Sequence, residues 1–397
     1  MTSVRGEAVH LINLDYSAHM PQGYWHKKYD ELRAEAPWYR NEFRNGFWMV
    51  VNYEGILQVL QNPEVFSSSV VVPVDPNPDY RWIPEMLDGE EHRQWRQQLA
   101  PLFSPRAVAK LEDKVRAWAR ELVGRIADKG RCDFVSEFAQ VYPTTIFLEL
   151  MGLPTDKLDT FMHWEHQIMR SPKTEEGHKE RMRGMRSVTE YFKKVIAEKR
   201  KNPGEDIISA ALQFTVDGKP VSEDDMLAFC LLMFMAGLDT VTATLGWTFL
   251  HLARNLQDRK RIVADKSLIP TAVEEFLRAY AIVNPSRKAT RDIEVQGCPI
   301  KKGDMVFVPL NAANRDDAAF EDAQTVKIDR HPNNHIGFGA GPHRCLGSHL
   351  ARRELKIALE EWHERIPDYR LADDCPELVE AGGQIALTTP MILTWDV

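Results

Sequence analysis

The sequence predicts a mainly α-helical fold with a minor β-sheet region, built as one domain over residues 1–397. Helical patterning fills most of the chain, whereas strand-like apolar runs are few and short. The sequence contains no internal repeat, low-complexity tract or Ser/Gly-rich linker, which favours a single domain. Apolar residues make up 44% and charged residues 27% of the chain, as in a globular protein that buries a large core.

The first half of the chain predicts a β-hairpin followed by a series of helices. The Asn45-Gly46 turn before the apolar run 47–51 is typical of a hairpin. From residue 89 to residue 201 the pattern is mostly helical, with a loop expected at 171–173 between two helices of the segment 161–191. We expect helix breaks at the prolines of this region, which are Pro101, Pro105, Pro143, Pro154 and Pro172.

The second half predicts two more helices before any further sheet. Ser222 is a favourable N-cap, and the three acidic residues after it suit the positive end of a helix dipole, so a long helix begins here and runs towards Asn255. Pro270 occupies a favoured first-turn position and starts the next helix. The remaining predicted elements are a small sheet over 286–310, a helix over 344–364 and a β-hairpin over 382–397.

The charge balance and the hydropathy pattern exclude several classes of partner. Acidic residues outnumber basic ones 58 to 50, giving a net charge of −8, whereas a general nucleic-acid surface needs an excess of basic residues. The first ten residues lack the apolar core of a signal peptide, and the most apolar run, 226–238, is shorter than a membrane span. We therefore expect a cytoplasmic monomer with no nucleic-acid or membrane partner.

The cysteines single out one candidate site. Cys132, Cys230, Cys298, Cys345 and Cys375 are odd in number, widely spaced and never form Cys-x-x-Cys. This pattern argues against a disulfide framework, a structural zinc site and an iron–sulfur cluster. Cys345 alone lies in a polar, glycine-rich run, and the apolar surroundings of Cys230 are typical of a core cysteine.

Residues 338–347 read Phe-Gly-Ala-Gly-Pro-His-Arg-Cys-Leu-Gly. A basic neighbour and a following helix favour the thiolate form of Cys345, which is the form that binds metal, and the glycines let backbone approach the sulfur. The run resembles the cysteine-ligand loop of the cytochrome P-450 family, in which the thiolate binds heme iron. The competing interpretation is a buried structural cysteine beside a glycine-rich turn.

The resemblance spans the chain and implies a fold and a cofactor. It is to the soluble bacterial type, of which camphor hydroxylase is an example, and it implies a single heme domain shaped as a triangular prism. Heme b is expected between the long central helix and the cysteine-ligand helix, with Cys345 as the axial ligand of its iron and Phe338 against the porphyrin edge. The positions that match propionate-contacting residues of the family are His92, Arg96, Arg287 and His343.

Glu275 and Arg278 stand three residues apart on a helix that is otherwise apolar. This spacing usually indicates a surface ion pair of little energetic value, but an apolar helix makes burial of the pair plausible and calls for a further partner. In the family that partner is an arginine before the cysteine loop, and Arg330 matches its position. The implied role is structural.

Asp239-Thr240 lies inside the long helix, after Gly237. Glycine and a threonine that bonds back to a carbonyl predict a local distortion there. The pair matches the acid–alcohol pair with which the family relays protons during dioxygen activation, and relatives that use peroxide or reduce nitric oxide do not need it. The resemblance therefore implies catalytic roles for Asp239 and Thr240 with dioxygen and two electrons, against the alternative of an ordinary polar helix face.

The electrons must come from another protein, because the chain carries no flavin or nicotinamide fingerprint. The usual bacterial arrangement is a ferredoxin with a separate ferredoxin reductase. An acidic ferredoxin would need a basic patch on the thiolate side, although some of its candidate residues could be ordinary solvated charges. The candidates are Arg93, Arg106, Lys110, Lys114, Arg344, Arg352 and Arg353.

The substrate is the least specified part of the prediction. We expect hydroxylation or epoxidation of a small apolar molecule, terpenoid or aromatic, below lid helices formed by 161–191. The expected pocket residues, each of which could instead be ordinary core, are Tyr80, Trp82, Met235, Leu238, Val283 and Ile385. The alternatives are a tailoring enzyme for a biosynthetic intermediate, which could be carrier-bound, and a non-enzymatic heme sensor, which the intact Asp239-Thr240 pair disfavours.

Overall fold

The computed structural model describes residues 3–4, 7–171 and 174–397. Pro172 and Lys173, where a loop and a helix break were predicted, lie outside the described residues. Helices account for most of the described chain, as predicted. In chain order the α-helices are α1 (Tyr24–Glu35), α2 (Tyr53–Gln61), α3 (Gly89–Leu99), α4 (Pro105–Ala109), α5 (Glu112–Ile126), α6 (Val141–Leu150), α7 (Leu158–Met169), α8 (Glu175–Lys201), α9 (Ile207–Ala211), α10 (Glu223–Arg254), α11 (Leu256–Ala264), α12 (Ile269–Ala279), α13 (Leu310–Asn314) and α14 (Ser348–Arg365).

Short helical turns and short strands connect these helices. The 3₁₀ turns span Ala100–Phe103, Ala127–Lys129, Thr155–Lys157, Lys266–Leu268 and Gly341–His343, and a π-helical turn spans Val135–Ala139. The strands are β1 (Ser3–Val4), β2 (Glu7–Ala8), β3 (Leu11–Ile12), β4 (His19–Pro21), β5 (Trp38–Asn41), β6 (Phe47–Val50), β7 (Phe66–Ser67), β8 (Arg131–Asp133), β9 (Thr215–Val216), β10 (Lys219–Pro220), β11 (Ser286–Ala289), β12 (Ile293–Val295), β13 (Cys298–Ile300), β14 (Met305–Phe307), β15 (Arg370–Leu371), β16 (Val379–Ala381), β17 (Ala386–Leu387) and β18 (Ile392–Thr394).

The largest sheet joins strands from both halves of the chain, in the order β3-β5-β6-β14-β11-β7. The hairpin predicted around Asn45-Gly46 is confirmed, because β5 and β6 pair antiparallel with Asn41 opposite Phe47. The strands predicted over 286–310 are also present, but β14 pairs parallel with β6 and antiparallel with β11. The sheet therefore places Arg287, on β11, next to the N-terminal strands.

Two sequence predictions of local structure are wrong. The segment 382–397 is not a hairpin, since β17 pairs with β16 whereas β18 lies between β15 and β8. The backbone of this segment finds partners elsewhere, as in the bond from Ile385 N–H to the Ile282 carbonyl. Pro143 does not break a helix either, because it lies in the first turn of α6, where N–H groups have no intrahelical partner to lose.

Helix α10 crosses the centre of the fold. The Ser222 hydroxyl caps it by accepting a hydrogen bond from Asp225 N–H, as the sequence predicts. It contacts α6, α8, α12 and α14, and it is about 48 Å long at 1.5 Å per residue. Contrary to the sequence expectation, it is long and apolar enough to cross a membrane, but 56% of its most apolar window is buried inside this protein. A core helix packed on several sides has this composition.

An ion cluster around Glu275 anchors the chain that precedes the cysteine loop. Arg278 donates to both Glu275 carboxylate oxygens at 2.8 Å, and Arg330 Nε donates to Oε2 at 2.9 Å. The Glu275 and Arg278 side chains are both 0% exposed. Lys327 N–H and the Asn333 amide also donate to Glu275, at 2.7 and 3.1 Å. The Glu275 carboxylate thus accepts three hydrogen bonds from the segment 327–333, besides the two from Arg278 on its own helix, and these bonds hold that segment against α12.

The neighbouring residue Glu274 makes a second set of contacts on the other side of the loop. Arg352, in α14, donates to both of its carboxylate oxygens at 2.6 and 2.8 Å. His335 Nε2 lies 2.9 Å from Glu274 Oε2. Helix α12 therefore contacts the segments before and after Cys345, and this fixes both ends of the loop.

Candidate active site

Cys345 lies in a backbone loop three residues before α14. Its N–H donates to the Phe338 carbonyl at 2.8 Å, which closes the loop. It is the one exposed cysteine of the five. Burial nevertheless raises the pKa of its thiol. The Gly347 N–H and the guanidinium groups of Arg96 and Arg344 oppose that increase.

Two glycines give the loop its shape, and they differ in their surroundings. Gly339 and Gly341 both have positive φ, 71° and 69°, a conformation that other residues rarely adopt. A Cβ on Gly341 would lie 2.5 Å from the carbonyl oxygen of Leu60 and 3.1 Å from Cα of Gln61. A Cβ on Gly339 would meet no heavy atom within 4 Å. The close contact of the cysteine loop with the end of α2 thus depends on Gly341.

The four residues matched to propionate positions come from α3, β11 and the cysteine loop. The His92 and His343 rings stack with centroids 4.0 Å apart, and Arg96 Nη2 donates to the Arg344 carbonyl at 2.6 Å. Burial, with His343 and Arg96 nearby, lowers the pKa of His92 to about 3. Arg287 is buried, and burial lowers its pKa against the opposing fields of Glu85 and Asp88.

Three of these four residues, His92, Arg96 and His343, line a cavity of about 820 Å³ together with Asp88. The buried Nε2 of His343 has no hydrogen-bond partner among the described atoms, since Asp88 Oδ1 lies 3.6 Å away. An unsatisfied ring nitrogen beside two arginines suits an anionic ligand. A thiol with such donors nearby fits heme, because sulfur can bind the heme iron and cations can bind its two carboxylates.

Thr240 and Asp239 lie at the middle of α10, which is continuous through this stretch. The distortion expected from the sequence therefore does not interrupt the helix. Thr240 Oγ1 donates to the Ala236 carbonyl at 2.9 Å. Ala236 is exposed and Thr240 half-buried although the flanking helix is buried, so this part of α10 faces an interior space. Asp239, in contrast, is buried.

Asp239 is held by side chains from distant segments. Arg170 Nη2 donates to Oδ1 at 3.1 Å, and Gln384 Nε2 donates to Oδ2 at 2.9 Å. Burial raises the pKa of Asp239, and Arg170 opposes the rise. Arg170 also contacts Glu165 at 3.5 Å, and Gln140 Nε2 donates to the other oxygen of Glu165 at 2.6 Å. Burial, followed by the Asp239 charge, raises the pKa of Glu165 to about 7.

The sequence reasoning missed Arg170, Glu165 and Gln384. Arg170 and Gln384 are 69 and 145 residues from Asp239 along the chain. No local pattern marks them, because an arginine or glutamine near a loop is ordinarily solvated. The position of Glu165 on α7, near Arg170, resembles a surface ion pair in sequence, and only its 3% exposure distinguishes it.

The expected pocket residues separate into two groups. Val283 is 37% exposed, and Met235, Tyr80 and Trp82 are half-buried, with the Tyr80 and Trp82 rings 5.2 Å apart. Leu238 and Ile385 are buried in the two hydrophobic clusters, at 1% and 0% exposure, so they pack as core residues and their place in the pocket stays a prediction. At 100° per residue, Leu238 lies on the helix face opposite Thr240, which explains its packing in the core.

The predicted basic patch is smaller than the sequence indicates. Four of its members pair with carboxylates of the chain itself: Arg93 with Glu90, Lys114 with Glu149, Arg352 with Glu274, and Arg353 with Glu112. Arg106, Lys110 and Arg344 are exposed, and within the described ranges no carboxylate lies at ion-pair distance from them. Arg106 and Lys110 belong to α4 and its end, and α4 packs against α14.

Comparison with known proteins finds one family, and the match covers most of the chain. The sequence profile of the family described as Cytochrome P450 matches residues 24–362. "Probable cytochrome P450 127A1" of Sinorhizobium fredii is 35% identical over 354 residues, which cover 88% of this chain and 84% of that protein. A "Steroid C26-monooxygenase" of Mycolicibacterium smegmatis is 32% identical over 355 residues, covering 88% and 87%.

A solved structure shows the same architecture. The crystal structure of CYP101J2 superposes with a TM-score of 0.89 at 34% identity, covering 98% of both chains. The mainly helical fold with small sheets is therefore shared with this structure over nearly its whole length.

The loop geometry predicts unequal effects of alanine at the two glycines. Gly339→Ala should cost about 1–2 kcal/mol of unfolding free energy for the positive φ alone. Gly341→Ala should cost more and lower the fraction of protein that retains heme, because its Cβ must displace the backbone at Leu60. Denaturant unfolding and heme absorbance per protein would measure both effects. Equal losses in the two variants would contradict this account of the loop.

Proposed function

We propose that this chain, which belongs to the cytochrome P450 family and binds heme b, is a monooxygenase that inserts one atom of dioxygen into a small apolar organic molecule. The observation that carries the proposal is the closed loop of Cys345 beside α3, where Arg96 Nη2 donates to the Arg344 carbonyl and the His92 ring stacks on the His343 ring. We further propose that residues 1–397 form a single heme domain that works in the cytoplasm as a monomer.

Each group of this site has a proposed task. Cys345 would hold the heme iron through its thiolate, and His92, Arg96, Arg287 and His343 would bind the two heme carboxylates. When bound, heme supplies the oxidising chemistry, which a thiolate ligand promotes by favouring O–O cleavage. The Phe338 carbonyl accepts a hydrogen bond from the Cys345 N–H. The Arg352 guanidinium lies over the Phe338 ring, with its Cζ 4.6 Å from the ring centroid. Phe338 thereby covers the sulfur side of the site.

Glu275, Arg278 and Arg330 have a structural task in this proposal. Their buried cluster holds 327–333, and through it the start of the cysteine loop, against α12. Removing one member would leave the others as uncompensated buried charges, which is strongly destabilising. We therefore assign them to heme retention and to no step of the reaction.

Asp239 and Thr240 are proposed to supply the protons. Cleaving dioxygen to release water consumes two protons, which a site closed to bulk water must deliver through side chains. Thr240 Oγ1 faces the interior space, and its hydroxyl can pass a proton while its own hydrogen bond to Ala236 is exchanged. Asp239 Oδ1 and Oδ2 each accept one hydrogen bond, from Arg170 and Gln384, and each keeps a second lone pair that can take up a proton.

The substrate is proposed to lie among Tyr80, Trp82, Met235 and Val283. Their apolar surfaces suit a terpenoid or aromatic skeleton, and the reaction would be hydroxylation or epoxidation. The relative named as a steroid monooxygenase supports an apolar ring compound as the substrate class. Helices α7 and α8, which pack against each other, would cover this side of the site.

The electron donor is proposed to be a ferredoxin served by a separate reductase. It would dock on the surface formed by Arg106, Lys110 and Arg344, which we call the α4 basic surface. Among the described cations considered for this role, these three keep their charge unpaired. Because the protein carries a net charge of −8, a local basic surface is the feature that would attract an acidic partner to one place on it.

The thiolate assignment is tested by a carbon monoxide difference spectrum of the reduced protein. The wild type should show the absorption band of a thiolate-ligated heme, and Cys345→Ser should abolish it, because serine supplies no thiolate. Cys375→Ser, at a half-buried cysteine in a C-terminal turn, is the matched control and should keep the band. An unchanged band in Cys345→Ser would overturn the proposed function.

The proton-supply role is tested with two isosteric threonine variants on one helix. Thr240→Val should lower the product formed per NADH by about tenfold or more and raise hydrogen peroxide, since a positioned proton donor contributes at least that much. Thr244→Val removes the same kind of hydrogen bond, from the threonine hydroxyl to the carbonyl four residues earlier, at a buried position. This variant should leave the product formed per NADH unchanged. Equal ratios in both variants would count against a role for Thr240.

The docking surface is tested by charge reversal and by salt. Arg106→Glu with Lys110→Glu should raise the KM for ferredoxin about tenfold or more at low salt, because steering by unpaired charges increases association rates by that order. The wild-type KM should rise with salt as exposed charges are screened within ~10 Å at ~0.1 M. Lys157→Glu, an exposed lysine before α7, is the control. A salt-independent KM would exclude this surface.

A further inference from the structure

The guanidinium of Arg170 is divided among three acceptors. Its Nη2 donates to Asp239 Oδ1 at 3.1 Å, its Nε to Glu165 Oε1 at 3.5 Å and its Nη1 to the Leu387 carbonyl at 3.5 Å. A guanidinium binds a carboxylate most strongly through two parallel N–H bonds to the same group. Neither acid receives such a pair of bonds, so Arg170 holds each of them through one nitrogen only.

Glu165 reaches this guanidinium because α7 ends between the two residues. Residues five apart on a continuous helix lie about 140° apart around its axis, which would separate their side chains. Helix α7 ends at Met169, and Arg170 is the residue that follows it, so its side chain can turn back to Glu165. Gln140, at the start of α6, donates to Glu165 Oε2 at 2.6 Å. The Glu165 carboxylate is thus fixed by an amide on one oxygen and by the guanidinium on the other.

The charges of this cluster do not balance when both acids are ionised. Glu165 and Asp239 are 3% and 6% exposed, and Arg170 supplies a single positive charge. Among the described residues, no second cation lies within 4.0 Å of either carboxylate. The amides of Gln140 and Gln384 donate to the two acids but carry no charge. Because an uncompensated negative charge is costly in the interior, binding of one proton would stabilise the cluster.

Other charged groups on α7 and on the helices packed against it face solvent or have other partners. Helix α7 contacts α6, α8 and α10, and its own Asp159, His163 and His166 are exposed. Apart from Asp239, the charged residues of α6, α8 and α10 that are not exposed are Glu149, paired with Lys114, Glu180 with Gln167, Arg181 with the Ile168 and Ser171 carbonyls, Lys199 with Asp206, Asp225 with Arg81, and His251 with Asp258. The two acids and one arginine therefore set the charge of the cluster.

Resting on the proposed function, we propose that Glu165 is a positioning residue for proton supply, because it competes with Asp239 for Arg170 and so keeps one proton bound in the cluster near neutral pH. Asp239 can pass that proton towards Thr240, whereas Glu165 contacts no reacting atom. Burial, followed by the Asp239 charge, raises the pKa of Glu165 to about 7, and burial raises the pKa of Asp239, in agreement with this role. The proton is bound below about pH 7 and is lost as the pH rises. Without the Glu165 charge, Asp239 would have Arg170 to itself and would ionise at lower pH.

The test measures the ionisation of the two acids by infrared spectroscopy of the ferric holoprotein. A protonated carboxyl group has a C=O stretching band that the carboxylate lacks, and this band is followed against pH in the wild type, Glu165→Gln and Asp239→Asn. The bands are assigned by subtracting variant from wild-type spectra, because other buried acids, such as Glu354, also have a raised pKa. In each variant the remaining acid should titrate at least about one pH unit below the upper midpoint of the wild-type pair, since it then has Arg170 to itself.

A functional readout connects this ionisation to proton supply. With styrene as an aromatic probe, the product formed per NADH should fall as the pH rises through the upper midpoint, and Glu165→Gln should move that fall to lower pH by the same shift. Glu180→Gln makes the same isosteric change at a half-buried acid of α8 that binds Gln167 of α7, and it should keep the wild-type midpoint and pH profile. The carbon monoxide spectrum of Glu165→Gln should show the thiolate band.

Two results would overturn the inference. One is a remaining acid that titrates at the upper midpoint of the wild-type pair, and Asp239→Asn gives this result even where Glu165→Gln does not fold. The other is an identical pH profile of product per NADH in the wild type and Glu165→Gln. In either case a normal carbon monoxide spectrum and formation of styrene oxide by the wild type would leave the monooxygenase proposal intact, so the two failures are distinguishable.

Discussion

The bonds to the buried Glu275 carboxylate are the interaction on which the rest of the site depends. Two arginines, a backbone N–H and an asparagine amide converge on a side chain that is 0% exposed. Buried charges are stable only when every partner is present, so the cluster permits one arrangement of the segment before the cysteine loop. Together with the Glu274–Arg352 pair it fixes both ends of that loop on α12, and the position of Cys345 follows.

The same rule governs the other side of the site, at the centre of α10. An acid inside a buried helix would be neutral or absent unless cations and amides compensated it. Arg170 is shared between Asp239 and Glu165, and amides from Gln384 and Gln140 complete the two carboxylates. The network connects α7 and the C-terminal turn to the central helix. The same contacts therefore hold these segments over the site and compensate the charge of Asp239.

The overall charge of the protein gives little indication of the charges that act locally. The chain is acidic in total, yet three of the seven cations expected on the thiolate side, Arg106, Lys110 and Arg344, have no carboxylate of the described chain at ion-pair distance, whereas the other four are paired with such carboxylates. Function in this molecule follows from which charges remain uncompensated after folding, and a count of charges cannot show that.

The sequence by itself determined the family, the cysteine proposed as the iron ligand, the N-cap of α10 and the existence of the Glu275–Arg278 pair, because each depends on residues close together in the chain. Tertiary structure alone decided which side chains face the site. It buried Leu238 and Ile385, paired Asp239 with Arg170 and Gln384, and placed β17 and β18 in different sheets. The physical reason is that burial and charge compensation are set by groups distant in sequence, and no local pattern of residues encodes their distances.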